Sequence, residues 1–503
     1  MGADELLSIN SAEPSRVRLS SSGARTGLVV TVVLVLGVIT GLAYLMETVA
    51  VEVAIAVGLA VALSILSFAQ VKLVLYALIF ICLFSPEIRI SPVLGPASKR
   101  PITIRVEDIV LVVLVITWLA RAAVNRQLGL LFRTPLNRPI IAYSLIAVVA
   151  TLLGYGFGWV EPGLGPPLFV LKYIQYFVLF FVVMNYIETP RDLRRLVIAG
   201  VVTYAAMCIY GLAQIPGGFR PTTFAEHPAE PNTLAGYLLL MIGICSGFLL
   251  FTRSALRKLG WAALIVPGIL LLVYTLSRSG WAGLAGVLAA LLVFSRHRMA
   301  VIGGLATVVA FLILSGFQAG WLPGPVEERV EMTLGRYETY PGMPQPARFM
   351  GIDLDPSASE RYWSYRDALE TWWERSVDHW VPLLTGSGVL GGRPFVDGQY
   401  VRVLAETGLL GLFAFLALLA AIWRHVWRSY RELTIPWYRG LAIGYLAGFA
   451  GLMVHALAAN TFIIVRIMEP FFIFTGIVML LPHMERLERN EPGAEEEPPY
   501  EWV

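Results

Sequence analysis

The sequence predicts an all-α polytopic membrane protein of about 12–14 transmembrane helices, with one large outer loop that contains an amphipathic helix. Three observations lead there. Charged residues make up only 15% of the 503 and hydrophobic residues 57%, against roughly 25% charged in an average soluble domain. Apolar runs of spanning length recur along most of the chain, and hydrocarbon offers backbone groups no partners outside a helix or a closed barrel. The segments between the runs are alternately rich and poor in Lys and Arg, as membrane topology requires. The net charge of +3 is small, and no basic stripe suggests nucleic acid.

Residues 1–26 read as a cytoplasmic tail. An N-terminal transmembrane bundle occupies 27–318, with apolar runs at 27–46, 51–69, 71–86, 108–124, 139–157, 167–186, 195–214, 233–251, 260–276, 279–295 and 300–318. The first run is of full spanning length and lacks a small-residue cleavage site, so it reads as a membrane helix and not as a secretory signal. The second and third are so close that one re-entrant unit is an alternative to two spans. An outer loop fills 319–401, three further runs at 402–423, 438–457 and 463–481 form a C-terminal transmembrane region (402–481), and 482–503 is an acidic, Pro-rich tail expected to be cytoplasmic and disordered.

Placing the N-terminus inside puts Arg16, Arg18 and Arg25, Lys72, Arg121 to Arg138, Arg191 to Arg195, Arg253 to Lys258, Arg296 and Arg298, Arg424 to Arg439, and Arg486 and Arg489 in the cytoplasm. Both termini then lie inside, and the segment from Arg89 to Arg105 is the one short outer loop rich in positive charge. The rule also forces a turn within 259–295, because basic groups on one side flank the whole apolar stretch. Its polar break is Ser277-Arg278-Ser279, which puts Arg278 at the outer tip of a tight helical hairpin. In the loop, Ser359 to Val377 reads as an amphipathic helix capped by Ser357 or Ser359. Tyr362, Tyr365, Leu369, Trp372 and Trp373 mark its apolar side, while Glu360, Arg366, Asp367, Glu370 and Glu374 face away. Such a helix lies on the bundle or at the membrane surface.

Cys82, Cys208 and Cys245 fall inside apolar runs and read as core residues. No Cys/His spacing suits zinc, and neither a metal nor a cofactor is expected. Arg466 and Glu469, three apart on one helix, are expected to pair with each other.

Several local patterns resemble the O-antigen ligase and Wzy-type polymerase superfamily of bacterial polysaccharide assembly. Phe224-Ala-Glu-His-Pro-Ala-Glu-Pro231-Asn232-Thr-Leu-Ala, preceded by Arg220, is similar to the family's Pro-Asn-x-Leu-Ala helix start. Ser277-Arg278-Ser279-Gly-Trp281 resembles its Ser-Arg-Ser-x-Trp hairpin. Arg361 to Ala368, then Pro382 and Gly386-Ser-Gly388, resemble its loop helix and Gly-x-Gly turn, and Val401 to Gly411 resembles the helix that follows the loop. Where ligases carry His-Asn, this chain reads Asp397-Gly398-Gln399.

The resemblance implies transfer of a glycan from a polyprenyl-pyrophosphate donor to a glycan or lipid-linked acceptor at the outer face of the bacterial inner membrane. Membrane lipid and other polysaccharide export proteins are the implied surroundings. A pyrophosphate leaving group needs cationic donors, for which Arg offers a planar fork, and Arg220 and Arg278 are the candidates. An acceptor hydroxyl needs a general base within hydrogen-bond reach; Asp397 takes that role if apolar surface raises its pKa, while a turn aspartate before Gly398 is the structural alternative. His227 and His379 compete as bases. Lys172, Asn232 and Arg402 are further candidate substrate contacts, although Lys172 equally suits a buried ion pair and Arg402 with Glu406 equally suits a helix brace. A membrane transporter or flippase for lipid-linked glycan is the alternative from another class, and calls for charged groups inside the bilayer.

Overall fold

The computed structural model describes residues 70–91, 102–124, 133–217, 220–224, 230–295, 347–349, 352–392 and 396–490, together with Gly58, Ala62, Leu66, Arg298, Gly324, Glu331, Met332 and Tyr500. The chain divides into two compact units, Met1–Ala62 and Leu63–Val503. In the first, Gly58 and Ala62 are helical; the second contains all the elements that follow. The runs expected at 27–46 and 300–318 lie outside the described residues, as does that at 51–69 apart from Gly58, Ala62 and Leu66.

Every other expected run is a helix: α1 (Val71–Phe84), α2 (Val106–Val124), α3 (Asn137–Gly156), α4 (Gly165–Tyr186), α5 (Pro190–Gln214), α6 (Pro231–Phe251), α7 (Ala255–Tyr274) and α8 (Arg278–Phe294) precede the loop. The loop contributes α9 (Pro356–Asp378) and α10 (Trp380–Thr385), and α11 (Gln399–Glu432), α12 (Pro436–His455) and α13 (Val465–Glu488) follow it. Among the described residues seven of these helices, α3 to α7, α11 and α13, are long and apolar enough to cross a membrane. The chain is thus an all-α polytopic membrane protein. Its helix starts follow local chemistry: Pro190, Pro231 and Pro436 stand at first-turn positions, where the missing N–H costs nothing. Thr189 caps α5 by accepting from the Asp192 amide at 3.2 Å.

The bundle is built around α6 and α13, whose apolar windows are 78% and 89% buried, whereas α7, at 22%, is peripheral. In hydrocarbon, helices associate through close van der Waals packing, which small residues permit. Gly243 and Gly247 of α6 face Gly440, Gly444 and Gly448 of α12, so that a Cβ on Gly247 would stand 2.1 Å from the Gly440 carbonyl oxygen and one on Gly243 would stand 2.3 Å from the Gly448 nitrogen.

Two short antiparallel ribbons lie outside the helices, which the all-helical expectation did not include. β1 (Glu87–Ser91) pairs with β2 (Ile102–Arg105), placing Ile88 opposite Ile104, with an irregularity between Arg89 and Ser91. The alternation Ile88-Arg-Ile and Ile102-Thr-Ile carries the period of two that marks strands. β3 (Arg348–Phe349) pairs with β4 (Ile352–Asp353) just before the loop helix.

Helix α9 starts earlier than expected, and neither serine caps it. Asp355 does, accepting from the Ser357 amide at 3.1 Å and the Ala358 amide at 3.3 Å, because the carboxylate satisfies two first-turn amides at once. Ser359 is buried instead; its Oγ donates to the Leu354 carbonyl at 2.9 Å and accepts from the Ala347 amide at 3.0 Å, closing the β3–β4 ribbon against the helix. The expected apolar side divides. Ala368 is buried, Tyr365 donates to the Leu457 carbonyl at 2.8 Å and Trp372 to the Pro382 carbonyl at 2.9 Å. Leu369, Trp373 and Val377, four residues apart, form an exposed stripe. One helix therefore rests on the bundle and also presents apolar side chains outward.

After α10 the chain turns at Gly386 (φ 70°), and the turn seats against a break in α11 at Gly408 (φ 63°). A Cβ on Gly386 would lie 2.4 Å from the Glu406 backbone, and one on Gly408 2.4 Å from that of Leu384. Both the left-handed dihedral and the close approach require glycine there. At the far end α13 runs to Glu488, seven residues beyond the expected span. Glu485 accepts from the Thr434 and Ile435 amides, and Glu488 pairs with Arg194, so acidic residues assigned to a disordered tail hold helix ends together. The Tyr500 hydroxyl sits 3.1 Å from His425 Nε2 and from the Met479 carbonyl; residues 491–499 and 501–503 lie outside the described residues.

Candidate functional site

The helical hairpin expected at Ser277-Arg278-Ser279 exists and organises the site. Helices α7 and α8 are joined by Thr275, Leu276 and Ser277, with Leu276 in the left-handed region (φ 54°) that a bulky residue rarely adopts. Arg220 reaches over this turn, its Nε and Nη2 donating to the Thr275 carbonyl at 3.0 and 2.8 Å. Ser277 caps α8 by accepting from the Gly280 amide at 3.1 Å, and its Oγ donates to Asn232 Oδ1 at 2.7 Å. Ser279 Oγ is 3.0 Å from Ser277 Oγ. Three residues singled out by sequence, Arg220, Asn232 and Arg278, are thereby gathered on one polar turn.

Arg278 does not stand as an interfacial side chain reaching for water. Its fork grips Asp355: Nη2 donates to Oδ1 at 2.9 Å and Nη1 to Oδ2, with the carboxylate side chain 5% exposed. Sequence reasoning missed Asp355, although an acidic residue just before a proline-led helix is a recognisable capping signal. Burial pushes its carboxyl up, but the hydrogen bonds and charge of Arg278 with the Ala358 and Ser357 amides hold it below its ordinary 3.8. A depressed carboxylate contributes stability that is complete above its ordinary pKa and is lost as pH falls through the depressed value. We therefore expect hydrogen exchange in the first turn of α9 to accelerate about tenfold once Asp355 is protonated, or in Asp355→Asn at neutral pH. Unchanged exchange in the variant would show that the pair does not anchor the loop helix.

Six residues further along α9, roughly 9 Å of helix, Arg361 brings Nε to 3.6 Å from Asp397 Oδ2. Apolar surface does not bury Asp397: its side chain is 45% exposed and its charged neighbour is a guanidinium. The glycine after it has φ 107°, and a Cβ there would meet the Tyr365 hydroxyl at 2.4 Å, so the turn role holds as well. Gln399, which follows, is a structural residue; its Oε1 accepts from the Phe462 amide at 3.0 Å. Arg361 is the cation that sequence reasoning passed over next to this aspartate.

The remaining candidates sit elsewhere. Lys172 pairs with Asp108 inside the bundle, where Gln175 Nε2 links Asp108 Oδ1 at 2.8 Å to Glu469 Oε1 at 2.9 Å. Arg402 is buried and donates to Glu406 Oε1 at 3.0 Å, while Glu406 Oε2 accepts from Tyr173 at 3.0 Å. The cavity beside Arg402, with Thr371, Trp372 and Glu406, measures about 20 Å³, room for a water and not for a sugar. His379 separates α9 from α10 and packs on Phe157. His227 lies outside the described residues.

The expected Arg466–Glu469 pair does not form. Arg466 donates to Thr223 Oγ1 at 2.8 Å, to the Ser85 carbonyl at 3.0 Å and to the Phe224 carbonyl, while Glu469 turns to Gln175. The ends of α1 and of the Arg220 loop offer Arg466 several carbonyls, a better match for a five-donor fork than one carboxylate a turn away.

The site can thus present two arginine forks and a serine–asparagine pair at the loop end of the bundle, with a part-exposed carboxylate carried beside the loop helix. Comparison of the sequence with protein-family models and with curated proteins finds no match.

Proposed function

We propose that the chain is a membrane glycan transferase of the O-antigen ligase or polymerase type, in the bacterial inner membrane with both termini cytoplasmic and the loop outside. The observation that carries this reading is the clustering of Arg220, Asn232, Ser277 and Arg278 on one hairpin, with Arg278 already gripping a two-oxygen anion in Asp355. A diphosphate presents the same pair of oxygens to a guanidinium fork. In the proposed step the acceptor hydroxyl oxygen bonds to the anomeric carbon of the donor glycan, the bond from that carbon to the pyrophosphate breaks, and polyprenyl pyrophosphate leaves against Arg278. The hydroxyl proton passes to the Asp397 carboxylate, which is part-exposed beside Arg361 and so acts as a base without the apolar burial first expected of it. Asp355 must release the fork for the donor to bind, so donor binding loosens the loop helix.

The test is an in-membrane transfer assay with a polyprenyl-pyrophosphate oligosaccharide, comparing wild type with Arg278→Ala and Asp397→Asn at matched expression. Transfer is expected to fall about 10- to 100-fold in Arg278→Ala and to persist in the wild type with chelator present. A ladder of products marks a polymerase and a single addition to a lipid acceptor marks a ligase. Equal rates in wild type and variants would reject the site.

One observation favours a second reading. Glu107 and Glu469 are buried inside the bundle with the part-buried pair Lys172 and Asp108 beside them, and intramembrane charges often mark transport paths. Movement of lipid-linked glycan across vesicles without transfer would select this transporter reading.

A further inference from the structure

At the end of the bundle opposite the loop helix, the ends of α8 and α11 and the first turn of α12 enclose a cavity of about 690 Å³. Phe294 and Trp427 form apolar walls, and Arg298, Arg431 and Arg439 bring three guanidinium groups to its lining. No carboxylate lines it, and among the described residues no ion pair engages any of the three arginines. Glu432, next to Arg431, is exposed and does not line the cavity, Glu485 is committed to the Thr434 and Ile435 amides, and Glu488 to Arg194 and the Tyr438 hydroxyl.

Arginines near helix ends are common, but this site carries a second sign. Tyr430, 2% exposed, lines the cavity with a hydroxyl that has no hydrogen-bond partner, and Arg439 Nε, also buried, has none either. Arg439 is held by aromatic faces, 5.2 Å from the Tyr430 ring and 5.4 Å from the Phe251 ring, which fixes its plane without using its donors. Buried donors left unmatched are costly, and here two of them line one space beside the guanidinium groups of Arg298 and Arg431. An anion with several acceptor oxygens satisfies all of them at once.

We propose that this cavity binds a phosphate-bearing anion, at a site separate from the hairpin cluster and independent of the glycan-transfer reading. Two sources offer that chemistry, the headgroup of an anionic phospholipid and a soluble phosphate compound. The volume suits a phosphoglycerol headgroup, and Val293, which also lines the cavity, is 58% exposed and gives an apolar shoulder for an acyl chain. Basic pockets between membrane helices bind lipid headgroups in this way.

The experiment uses the full chain in nanodiscs of phosphatidylcholine containing phosphatidylglycerol, with bound lipid read by native mass spectrometry. Arg439→Gln is expected to retain phosphatidylglycerol about fivefold less well than wild type. With Arg298→Gln and Arg431→Gln added, retention should fall about a hundredfold. Arg298→Gln with Tyr430→Phe, which leaves Arg439 on its aromatic seat, serves if the triple variant fails to fold, and should also lose retention. A parallel arm adds inorganic phosphate to protein in pure phosphatidylcholine. A rise in thermal midpoint there, absent from the variants, together with displacement of phosphatidylglycerol, would assign the site to a soluble phosphate compound. Equal lipid retention by wild type and variants with no response to phosphate would overturn the proposal.

Discussion

Leucine in place of Gly247 or Gly444 is expected to eliminate folded protein from detergent extracts, leaving aggregated material on size-exclusion chromatography. At Gly247 a single added carbon already stands 2.1 Å from the Gly440 carbonyl oxygen, and at Gly444 it stands 2.8 Å from the Gly243 carbonyl oxygen and from the Ile244 backbone. A rotamer change cannot relieve these contacts, since the neighbour in each case is main chain. The two helices would have to separate, giving up the packing that holds α6 in the centre of the bundle. Overpacking ordinarily costs about 1–3 kcal/mol, and against backbone the upper end or more is expected. Gly260→Ala is the control: its position has open space on every side, and the change should stabilise α7 slightly, by up to about 1 kcal/mol. A well-folded Gly444→Leu protein with an unchanged thermal midpoint would refute the glycine-packed seam.

The second large effect is expected from Arg466→Met. Arg466 is 0% exposed, and its donors hold the ends of α1 and the Arg220 loop to the start of α13. Methionine fills similar space but donates nothing, so several buried acceptors lose their partner where no water replaces it. At about 1–3 kcal/mol for each unsatisfied group, the loss should be about 3 kcal/mol or more, read as a large drop in thermal midpoint. Glu469→Gln separates this account from the pairing expected by sequence. The amide oxygen of glutamine can still accept from Gln175 Nε2, so that variant should cost far less than Arg466→Met. Equal losses in the two variants would restore the local Arg–Glu pair as the governing contact.

Much of the fold was legible because hydrocarbon imposes a simple rule. A span must be apolar and helical, so every expected run within the described residues coincides with a helix, and a hairpin forced by charge placement at Ser277-Arg278-Ser279 is where the chain turns. The β1–β2 ribbon escaped notice because it lies between spans in a segment read only for its charge, though its alternating isoleucines were visible. Asp355 was missed for a different reason. Its value lies in a partner 77 residues away, and no local spacing announces such a pair.

Arg466 shows where local rules mislead. A residue three positions away satisfies the helical pairing rule, yet the tertiary structure brings it carbonyls from segments 242 and 381 residues distant, and a guanidinium with five donors follows the greater number of acceptors. Lys172 illustrates the same limit, since sequence left it between substrate contact and structural pair and only the packing of α2 against α4 supplied Asp108, whereas Arg402 takes Glu406 four residues along its own helix, the brace that the sequence offered. Composition, apolar periodicity and charge placement by themselves determined a many-helix membrane bundle with a large loop and put Arg220 and Arg278 on the same side of it. The tertiary structure alone decided which charges meet, because a charge in a low-dielectric bundle takes whichever partner the packed helices bring within reach, and that distance is not written along the chain.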